Sequence, residues 1–278
     1  MSEEGEFSVR FWGVRGSIAC PGESTVRYGG NTSCLEIDCG GQRLVFDAGT
    51  GLRVLGETLV SQNGSVEGDI FLSHTHLDHI NGIPFFRPFY VSGNKFRVWA
   101  GHLLPNFTLK RVVGDMMAAP LFPVPPEIFG PQVDYCDFTS GDTLRPCEGV
   151  VIHTAPLNHP DRATGYRLEF GGKAVCYITD TGHVEGERDA ALVSFVKDAD
   201  MMIYDSTYTD EEFPRFRDYG HSTWQEGVRV SDAAGVKTLV MFHHDPSHDD
   251  DFMDGIAAEA EAMRPGSVVA REGMVLRP

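Results

Sequence analysis

The sequence predicts an α+β protein in which mixed β-sheets are covered by helices. Short apolar segments with strand character recur along the 278-residue chain, and in its second half they alternate with helical patterns. Several of these segments end directly on histidine or aspartate. Because helices interspersed among strands pack on sheet faces, we expect layers of sheets and helices in one domain, residues 1–278.

The first third of the chain consists of strand and turn patterns. Strands are expected at residues 7–12, 33–38, 43–46 and 69–73. The Gly40-Gly41 turn separates the second and third of these strands. The segment Asp47-Ala-Gly-Thr-Gly51 follows, and a short helix is expected from Leu52. We interpret this segment as a plain tight turn, the alternative being a set of backbone N–H groups near a bound ester.

Residues 84–131 differ in character from the rest, because prolines and aromatic residues are dense there. One interpretation is an irregular surface excursion with its own small core around a helix at about 107–118. The other is a wall or lid over a functional site, or an oligomer contact, since loops of this length in compact domains are often functional.

The second half repeats strands and helices. Strands are expected at residues 150–154, 166–170, 174–179, 201–204 and 238–242, with helices after the third, fourth and fifth. The helix after His221 begins at Ser222-Thr-Trp-Gln225, which has the form of a capping box. A short final strand pair is expected at 267–270 and 274–276.

Composition and charge narrow the class of protein. The hydrophobic fraction is 41%, and no run approaches the ~20 apolar residues that a membrane span needs. The acidic N-terminus does not resemble a targeting peptide, so we expect a cytoplasmic protein without membrane contact. The formal charge of −17 disfavours long nucleic acids and favours a small substrate. The six cysteines form no CxxC pair and are interpreted as core thiols.

The segment His74-Thr-His-Leu-Asp-His79 is the strongest functional signal. It contains three imidazoles and a carboxylate within six residues, directly after an apolar strand. A single histidine at a strand end is usually a structural residue, whereas this density is typical of a metal site.

Further residues of the same types follow later strands. These are His159, Asp180, and the adjacent pair His243 and His244. Loops at neighbouring strand ends converge, so the set could build two metal positions, with Asp180 bridging through its two oxygens. Nitrogen and oxygen ligands without cysteine suit zinc, with manganese or iron as alternatives.

These motifs closely resemble the metallo-β-lactamase-fold hydrolases, and among them the phosphodiesterase branch of ribonuclease Z and the phosphonate-pathway cyclic phosphodiesterase. The likeness runs from Val9-Arg-Phe-Trp-Gly13 to the C-terminus and implies an αββα sandwich of two mixed sheets. It implies that the first divalent ion is held by His74, His76 and His159, the second by Asp78, His79 and His243, with Asp180 between them. His244 is the fallback for His243, and Asp78 would also orient the attacking water.

Gly220-His221-Ser-Thr223 resembles the ribonuclease Z motif whose histidine protonates the leaving oxygen. The resemblance assigns Asp205 as the carboxylate that supports His221. A histidine held by a carboxylate has a raised pKa and a fixed tautomer, which suits a general acid. The alternative is that His221 is only a loop residue before a helix, where the helix dipole would disfavour its protonation.

Two departures from the family refine the expected function. The chain lacks the long basic arm with which ribonuclease Z grips tRNA, and His76 stands where oxygen-reducing diiron relatives carry glutamate. We therefore expect hydrolysis of a small phosphodiester, with a cyclic nucleotide as one candidate, by attack of a metal-bridged hydroxide. The alternatives are a thioester or lactone hydrolase on the same metals, for which His221 would be dispensable, and a non-catalytic metal or small-molecule carrier. The resemblance also implies a homodimer.

Overall fold

The computed structural model describes residues 7–62 and 64–278 and contains two β-sheets of seven strands each. The acidic N-terminal segment, residues 1–6, lies outside the described residues. The first half of the chain supplies six strands of the first sheet: β1 (Phe7–Gly13), β2 (Cys34–Cys39), β3 (Gln42–Phe46), β4 (Glu67–Leu72), β5 (Lys95–Ala100) and β6 (Val133–Asp137).

The second half supplies the second sheet. Its strands are β7 (Thr143–Leu144), β8 (Val151–Leu157), β9 (Ala163–Phe170), β10 (Lys173–Ile178), β11 (Met201–Asp205), β12 (Thr238–Phe242) and β13 (Val268–Val269). The last strand, β14 (Val275–Leu276), returns to the first sheet beside β1.

Each sheet is antiparallel in one part and parallel in the other. The first sheet has the order β14-β1-β2-β3-β4-β5-β6, and its strands run parallel from β3 to β6. The second has the order β13-β12-β11-β10-β9-β8-β7, and its strands run parallel from β10 to β13. Parallel neighbours bring their carboxyl ends to one edge of the sheet, where loop residues can converge.

Helices cover the outer faces of both sheets. They are α1 (Thr50–Val60), α2 (Leu77–Ile80), α3 (Leu109–Met116), α4 (Ala190–Phe195), α5 (Trp224–Ala234) and α6 (Asp250–Met263). Short 3₁₀ helices lie at Glu23–Thr25, Ile83–Phe85, Arg87–Tyr90, Pro126–Gln132, Phe213–Arg215 and Arg217–Tyr219.

The inner faces of the two sheets share an apolar core. Phe46 of the first sheet packs edge-on against Tyr166 and Tyr177 of the second, with ring centroids 5.3 and 5.9 Å apart. Two further apolar clusters join the outer sheet faces to their helices. The predicted αββα sandwich of mixed sheets is therefore confirmed.

The interpretation of residues 84–131 as a surface excursion with its own small core was wrong, and it was one of the two that the sequence left open. This range contains β5, which pairs in parallel with β4 and β6 inside the first sheet. Phe86 and Phe89 are buried in the cluster that also contains Leu52 and Leu55 of α1. The aromatic residues of this range thus form part of the layer that covers the first sheet.

Two other expectations need correction. The strands near the C-terminus both form, but β13 pairs with β12 and β14 pairs with β1, so they belong to different sheets. Helix α5 begins one residue later than expected. The Thr223 side chain accepts from the Glu226 N–H as N-cap.

The remaining sequence predictions concern cysteines and the membrane. All six cysteines are free, and three of them are buried. Among the described residues, no helix has both the length and the apolar character required to cross a membrane.

Candidate metal centre

The predicted site residues meet at the edge where the strands of both sheets end. His74 follows β4, His159 follows β8, Asp180 follows β10, Asp205 ends β11 and His243 follows β12. Asp180 and His243 have positive φ angles of 56° and 62°. Aspartate and histidine are among the residues that tolerate this left-handed backbone, which is common where a functional side chain must be aimed. The backbone therefore turns sharply at two strand ends that face the site.

The six-residue segment His74–His79 contains four of the predicted ligands. His74 ends the extended stretch, and His76 is the N-cap residue of α2. Asp78 and His79 lie within that helix and are buried. The Ser17 N–H donates to Asp78 Oδ2 at 2.7 Å, which fixes the orientation of the carboxylate.

Asp180 lies between two groups of histidines. Its Oδ1 is 3.7 Å from His74 Nε2 and 3.9 Å from His159 Nε2. Its Oδ2 is 3.2 Å from His79 Nε2 and 3.3 Å from His243 Nε2. Each carboxylate oxygen thus faces a different pair of imidazole nitrogens.

The group on the Oδ2 side has the spacing of a tetrahedral ligand set. Its four atoms belong to Asp78, His79, Asp180 and His243, and five separations among them are 3.2–3.3 Å. A tetrahedral zinc ion with bonds of about 2.0–2.1 Å places its ligand atoms about 3.3–3.4 Å apart. These residues therefore fit a metal ion.

The group on the Oδ1 side fits a second ion. His159 Nε2 lies 3.1 Å from His76 Nδ1, and His74 completes a cluster whose ligand atoms all lie within 4.8 Å of one another. His74 Nε2 is buried and has no hydrogen-bond partner among the described residues. A buried nitrogen without a partner is costly, and metal coordination would remove that cost.

Two glycines make room for the cluster. A Cβ on Gly16 would lie 2.3 Å from the His243 ring, and a Cβ on Gly220 would lie 2.4 Å from His159 Nδ1. Gly220 also adopts φ +82°, a conformation that side chains rarely allow. Both imidazoles can thus occupy their positions only because a glycine lies opposite.

In three of the predicted histidine ligands, the Nδ1 nitrogen has a hydrogen-bond partner in the protein, so that Nε2 is the nitrogen available to a metal. His79 Nδ1 lies 2.8 Å from Asp47 Oδ2, and His243 Nδ1 lies 3.0 Å from Thr207 Oγ1. His159 Nδ1 lies 2.8 Å from the carbonyl oxygen of Gly220, to which it donates. Such bonds fix the tautomer and orientation of metal-binding imidazoles.

Asp47 is the site residue that the sequence did not reveal. Its buried carboxylate accepts from the Ser73 N–H at 2.7 Å and from the Tyr177 hydroxyl at 2.7 Å, besides facing His79. In the turn that follows Asp47, backbone N–H groups donate to carbonyl oxygens of another part of the chain. The Gly49 N–H donates to Ser33 O, and the Gly51 N–H donates to Thr32 O. The turn therefore has a structural role, in line with the plain-turn interpretation.

His221 lies beside this cluster and is held by Asp205. His221 Nδ1 is 2.9 Å from Asp205 Oδ2, and the buried carboxylate also accepts from the Thr207 hydroxyl at 2.7 Å and the Thr181 N–H at 3.2 Å. Burial disfavours the charged imidazole, but the charge and hydrogen bond of Asp205 outweigh it and raise the pKa of His221 to about 9. Nδ1 also lies 3.7 Å from Asp180 Oδ1, and Nε2 has no hydrogen-bond partner among the described residues.

The protonation of His74, Asp180 and Asp78 suits a cation. His79 differs, because burial opposes its charge but Asp180, Asp78 and Asp47 outweigh burial and raise the pKa of His79 well above the ordinary value. Burial lowers the pKa of His74 well below its ordinary value, so its ring is neutral and able to bind a metal. Burial opposes the charge of Asp180, but the His243 and His79 imidazoles outweigh this effect, and the pKa of Asp180 lies well below its usual range. Burial also disfavours the charged form of Asp78, yet His79 and His243 hold its pKa below its usual range.

The structure separates His243 from its neighbour. His243 points into the cluster, whereas His244 Nε2 lies 2.9 Å from the carbonyl oxygen of Ala270 and donates to it. His244 is fully buried, and burial lowers its pKa to about 3. His244 thus lies outside the cluster and has a structural role.

Comparison with known proteins agrees with this architecture. The sequence profile of the Beta-lactamase superfamily domain matches residues 42–244, and the chain belongs to that family. Ribonuclease Z of Gemmatimonas aurantiaca is 25% identical over 320 residues, covering 95% of this chain and 94% of that protein. Ribonuclease Z of Bradyrhizobium diazoefficiens is 26% identical over 314 residues, covering 96% and 98%.

Solved structures show the same fold. The metallo-beta-lactamase fold protein YhfI from Bacillus subtilis superposes with a TM-score of 0.74 at 19% identity, covering 99% of this chain and all of that one. Zn²⁺-bound PqqB from Methylobacterium extorquens gives 0.73 at 16% identity, covering 98% and 100%. A diphosphatase from the PhnP family gives 0.71 at 17% identity, covering 98% and 96%. The resemblance predicted from the sequence is confirmed.

Proposed function

We propose that this protein is a dinuclear metal-dependent hydrolase of small phosphodiesters. The observation that carries the proposal is the position of Asp180, whose two oxygens face two separate sets of imidazole nitrogens. Family membership and similarity to two ribonuclease Z proteins along nearly their whole length support metal-dependent phosphodiester hydrolysis.

The ligand sets follow from the two clusters. His74, His76 and His159 would hold one ion, and Asp78, His79 and His243 the other, with Asp180 shared. Zinc is our first choice of metal, because the ligands are nitrogen and oxygen atoms, those on the Oδ2 side of Asp180 have tetrahedral spacing, and the structural neighbour PqqB binds Zn²⁺. Bound there, two divalent ions would activate a water molecule and stabilise charge on the phosphoryl oxygens.

The protein's own groups have distinct tasks in this mechanism. Asp78, held by the Ser17 N–H, would orient the attacking water. His221 would protonate the leaving oxygen through Nε2, because Asp205 occupies Nδ1 and favours the protonated ring. Asp205, which the resemblance assigns to the support of His221, would act through that histidine and is therefore a positioning residue.

The requirement for a proton favours a diester as the substrate. An alkoxide leaves phosphorus poorly without an acid, and a histidine held by a buried carboxylate supplies one. The net charge of −17 disfavours long polyanions, and a cyclic nucleotide remains one candidate substrate. The cytoplasmic location and the homodimer remain predictions from the sequence and the resemblance.

The test compares four substrates under identical metal loading: a bis-aryl phosphodiester, a cyclic nucleotide, an aryl phosphomonoester and a thioester. We expect both diesters to be hydrolysed, turnover to stop on chelation, and turnover to return with added metal. Hydrolysis of the thioester without the diesters would contradict the proposed electrophile. Stoichiometric metal without turnover of any substrate would favour the carrier hypothesis.

A further inference from the structure

A cavity of about 420 Å³ opens beside His74 and His76. Its other walls come from the segment after β5 and from the loop between β8 and β9. The residues that matter here are His102, Leu103, Asn106, Phe107, Val112 and Arg162. The volume is within the range of small-ligand sites.

One wall of this cavity is apolar and aromatic. Phe107 is 49% exposed, although it is a large apolar side chain, and Leu103 and Val112 line the same wall. The Phe107 N–H donates to Leu103 O at 3.0 Å, and the Arg111 guanidinium lies 5.5 Å from the ring centroid. An exposed phenyl ring that is held in this way can stack on a planar group.

The remaining lining is polar and carries charges of both signs. Arg162 is exposed, and so is the neighbouring Asp161, whose carboxylate also lines the cavity and lies 3.8 Å from His76 Nε2. The backbone of Arg162 has φ +70°, and its N–H donates to His159 O at 3.0 Å. The exposed amide of Asn106 adds hydrogen-bonding groups. Charged and hydrogen-bonding groups thus lie beside a cavity that adjoins the candidate metal centre.

His102 connects the aromatic wall to the metal cluster. Its ring is buried, and Nε2 lies 3.0 Å from the hydroxyl of Thr75, which lies between His74 and His76 in the chain. The segment that carries Leu103 and Phe107 therefore has a fixed position relative to the predicted ligands. A group bound on this wall would therefore have a fixed position relative to a phosphorus atom at the candidate metal centre.

The cavity is lined by His74 and His76, and His221 does not line it. The rings of His76, His159 and His221 follow one another at centroid distances of 5.0 and 5.3 Å. The cavity adjoins the His76 end of this row, and His221 stands at the other end. The leaving group belongs beside His221, so the cavity is available to the ester group that stays on phosphorus.

We propose that this cavity selects phosphodiesters whose retained ester group carries a planar, hydrogen-bonding ring, as in a nucleoside. Phe107 stacks on the ring, and Asn106 and Arg162 supply hydrogen-bond donors to its polar edge. The inference rests on the proposed function, because it concerns the substrate of the same site.

The test uses two diesters that release the same product. The p-nitrophenyl ester of thymidine monophosphate and methyl p-nitrophenyl phosphate both add water at phosphorus, break the bond to the aryl oxygen and release p-nitrophenol. They differ only in the retained group. We expect wild-type kcat/KM to be higher for the thymidine ester, and Phe107→Ala to reduce that preference by roughly tenfold, mainly through KM.

Two controls separate stacking from folding. Phe107→Leu retains apolar volume without an aromatic face and should also lose most of the preference. Phe252→Ala removes a 41% exposed aromatic residue of α6 that does not line the cavity, and should change nothing. Metal content is measured for each variant.

The outcomes distinguish a failure of the proposed function from a failure of the cavity assignment. Absence of turnover of both diesters by the metal-loaded wild type would overturn the proposed function and this inference with it. Turnover of both, with a preference that Phe107→Ala leaves intact, would overturn the cavity assignment alone.

Discussion

His221 Nδ1 lies 2.9 Å from Asp205 Oδ2, so the carboxylate occupies one ring nitrogen, and the other has no hydrogen-bond partner among the described residues. Asp205 is itself held by the Thr207 hydroxyl and the Thr181 N–H, and it is buried. If His221 is a general acid, replacement of either residue of this pair should change catalysis in a way that a purely structural role would not.

Replacement of His221 should affect substrates according to their leaving groups. We expect His221→Ala to lower turnover of a diester with an alkyl leaving group by about 10²–10⁴-fold, the range typical of general acids. A bis-aryl diester, whose leaving group needs little protonation, should lose far less. Steady-state kinetics on both substrates checks this prediction, and equal losses would argue against proton donation.

Replacement of Asp205 should change the pH profile. The negative charge of Asp205 raises the pKa of His221, and the active protonated ring is lost as pH rises through that pKa. Asp205→Asn removes the charge, so the alkaline limb of kcat/KM for an alkyl diester should move to lower pH. An unmoved limb would show that another group sets it.

The adjacent histidines should respond in opposite ways. His243→Ala removes a nitrogen from the tetrahedral group and should lose one metal ion per chain. His244→Ala should keep both ions but lower the free energy of unfolding by about 1–3 kcal/mol, because the buried Ala270 carbonyl loses its donor. Metal analysis and denaturant unfolding measure the two effects. Metal loss in His244→Ala with an intact fold would reverse the assignment.

Two glycines of one loop make a matched test of the space around His243. A Cβ on Gly16 would lie 2.3 Å from the His243 ring, whereas a Cβ on Gly22 would have no atom within 4 Å. Gly16→Ala should therefore displace the imidazole and reduce metal content and turnover, and Gly22→Ala should leave both unchanged. Equal behaviour of the two variants would contradict the observed packing.

The strand-end residues were predictable because their chemistry is local. His74, Asp180 and His243 each follow a clear apolar strand, and residues at neighbouring strand ends converge whatever the details of the sheet. The choice between His243 and His244 came from the family resemblance, because two adjacent histidines cannot be distinguished by residue type. The structure distinguishes them through the backbone turn at His243, which has φ +62°.

Other features depend on contacts that are distant in sequence. Asp47 faces His79 from another strand end, and nothing beside it in the sequence shows which imidazole it meets. Strand β5 was missed because its neighbours are rich in proline and aromatic residues, yet these rings pack on α1. The partners of β13 and β14 are likewise set by the arrangement of the sheets, although the two strands are close in sequence.

The most direct test of the central claim is turnover of methyl p-nitrophenyl phosphate as a function of Zn²⁺ added to metal-stripped protein. Because Asp180 faces two ligand sets, we predict that activity rises through the second equivalent and reaches its plateau at two ions per chain. A plateau at one equivalent, or no diester turnover with two ions bound, would contradict a dinuclear phosphodiesterase.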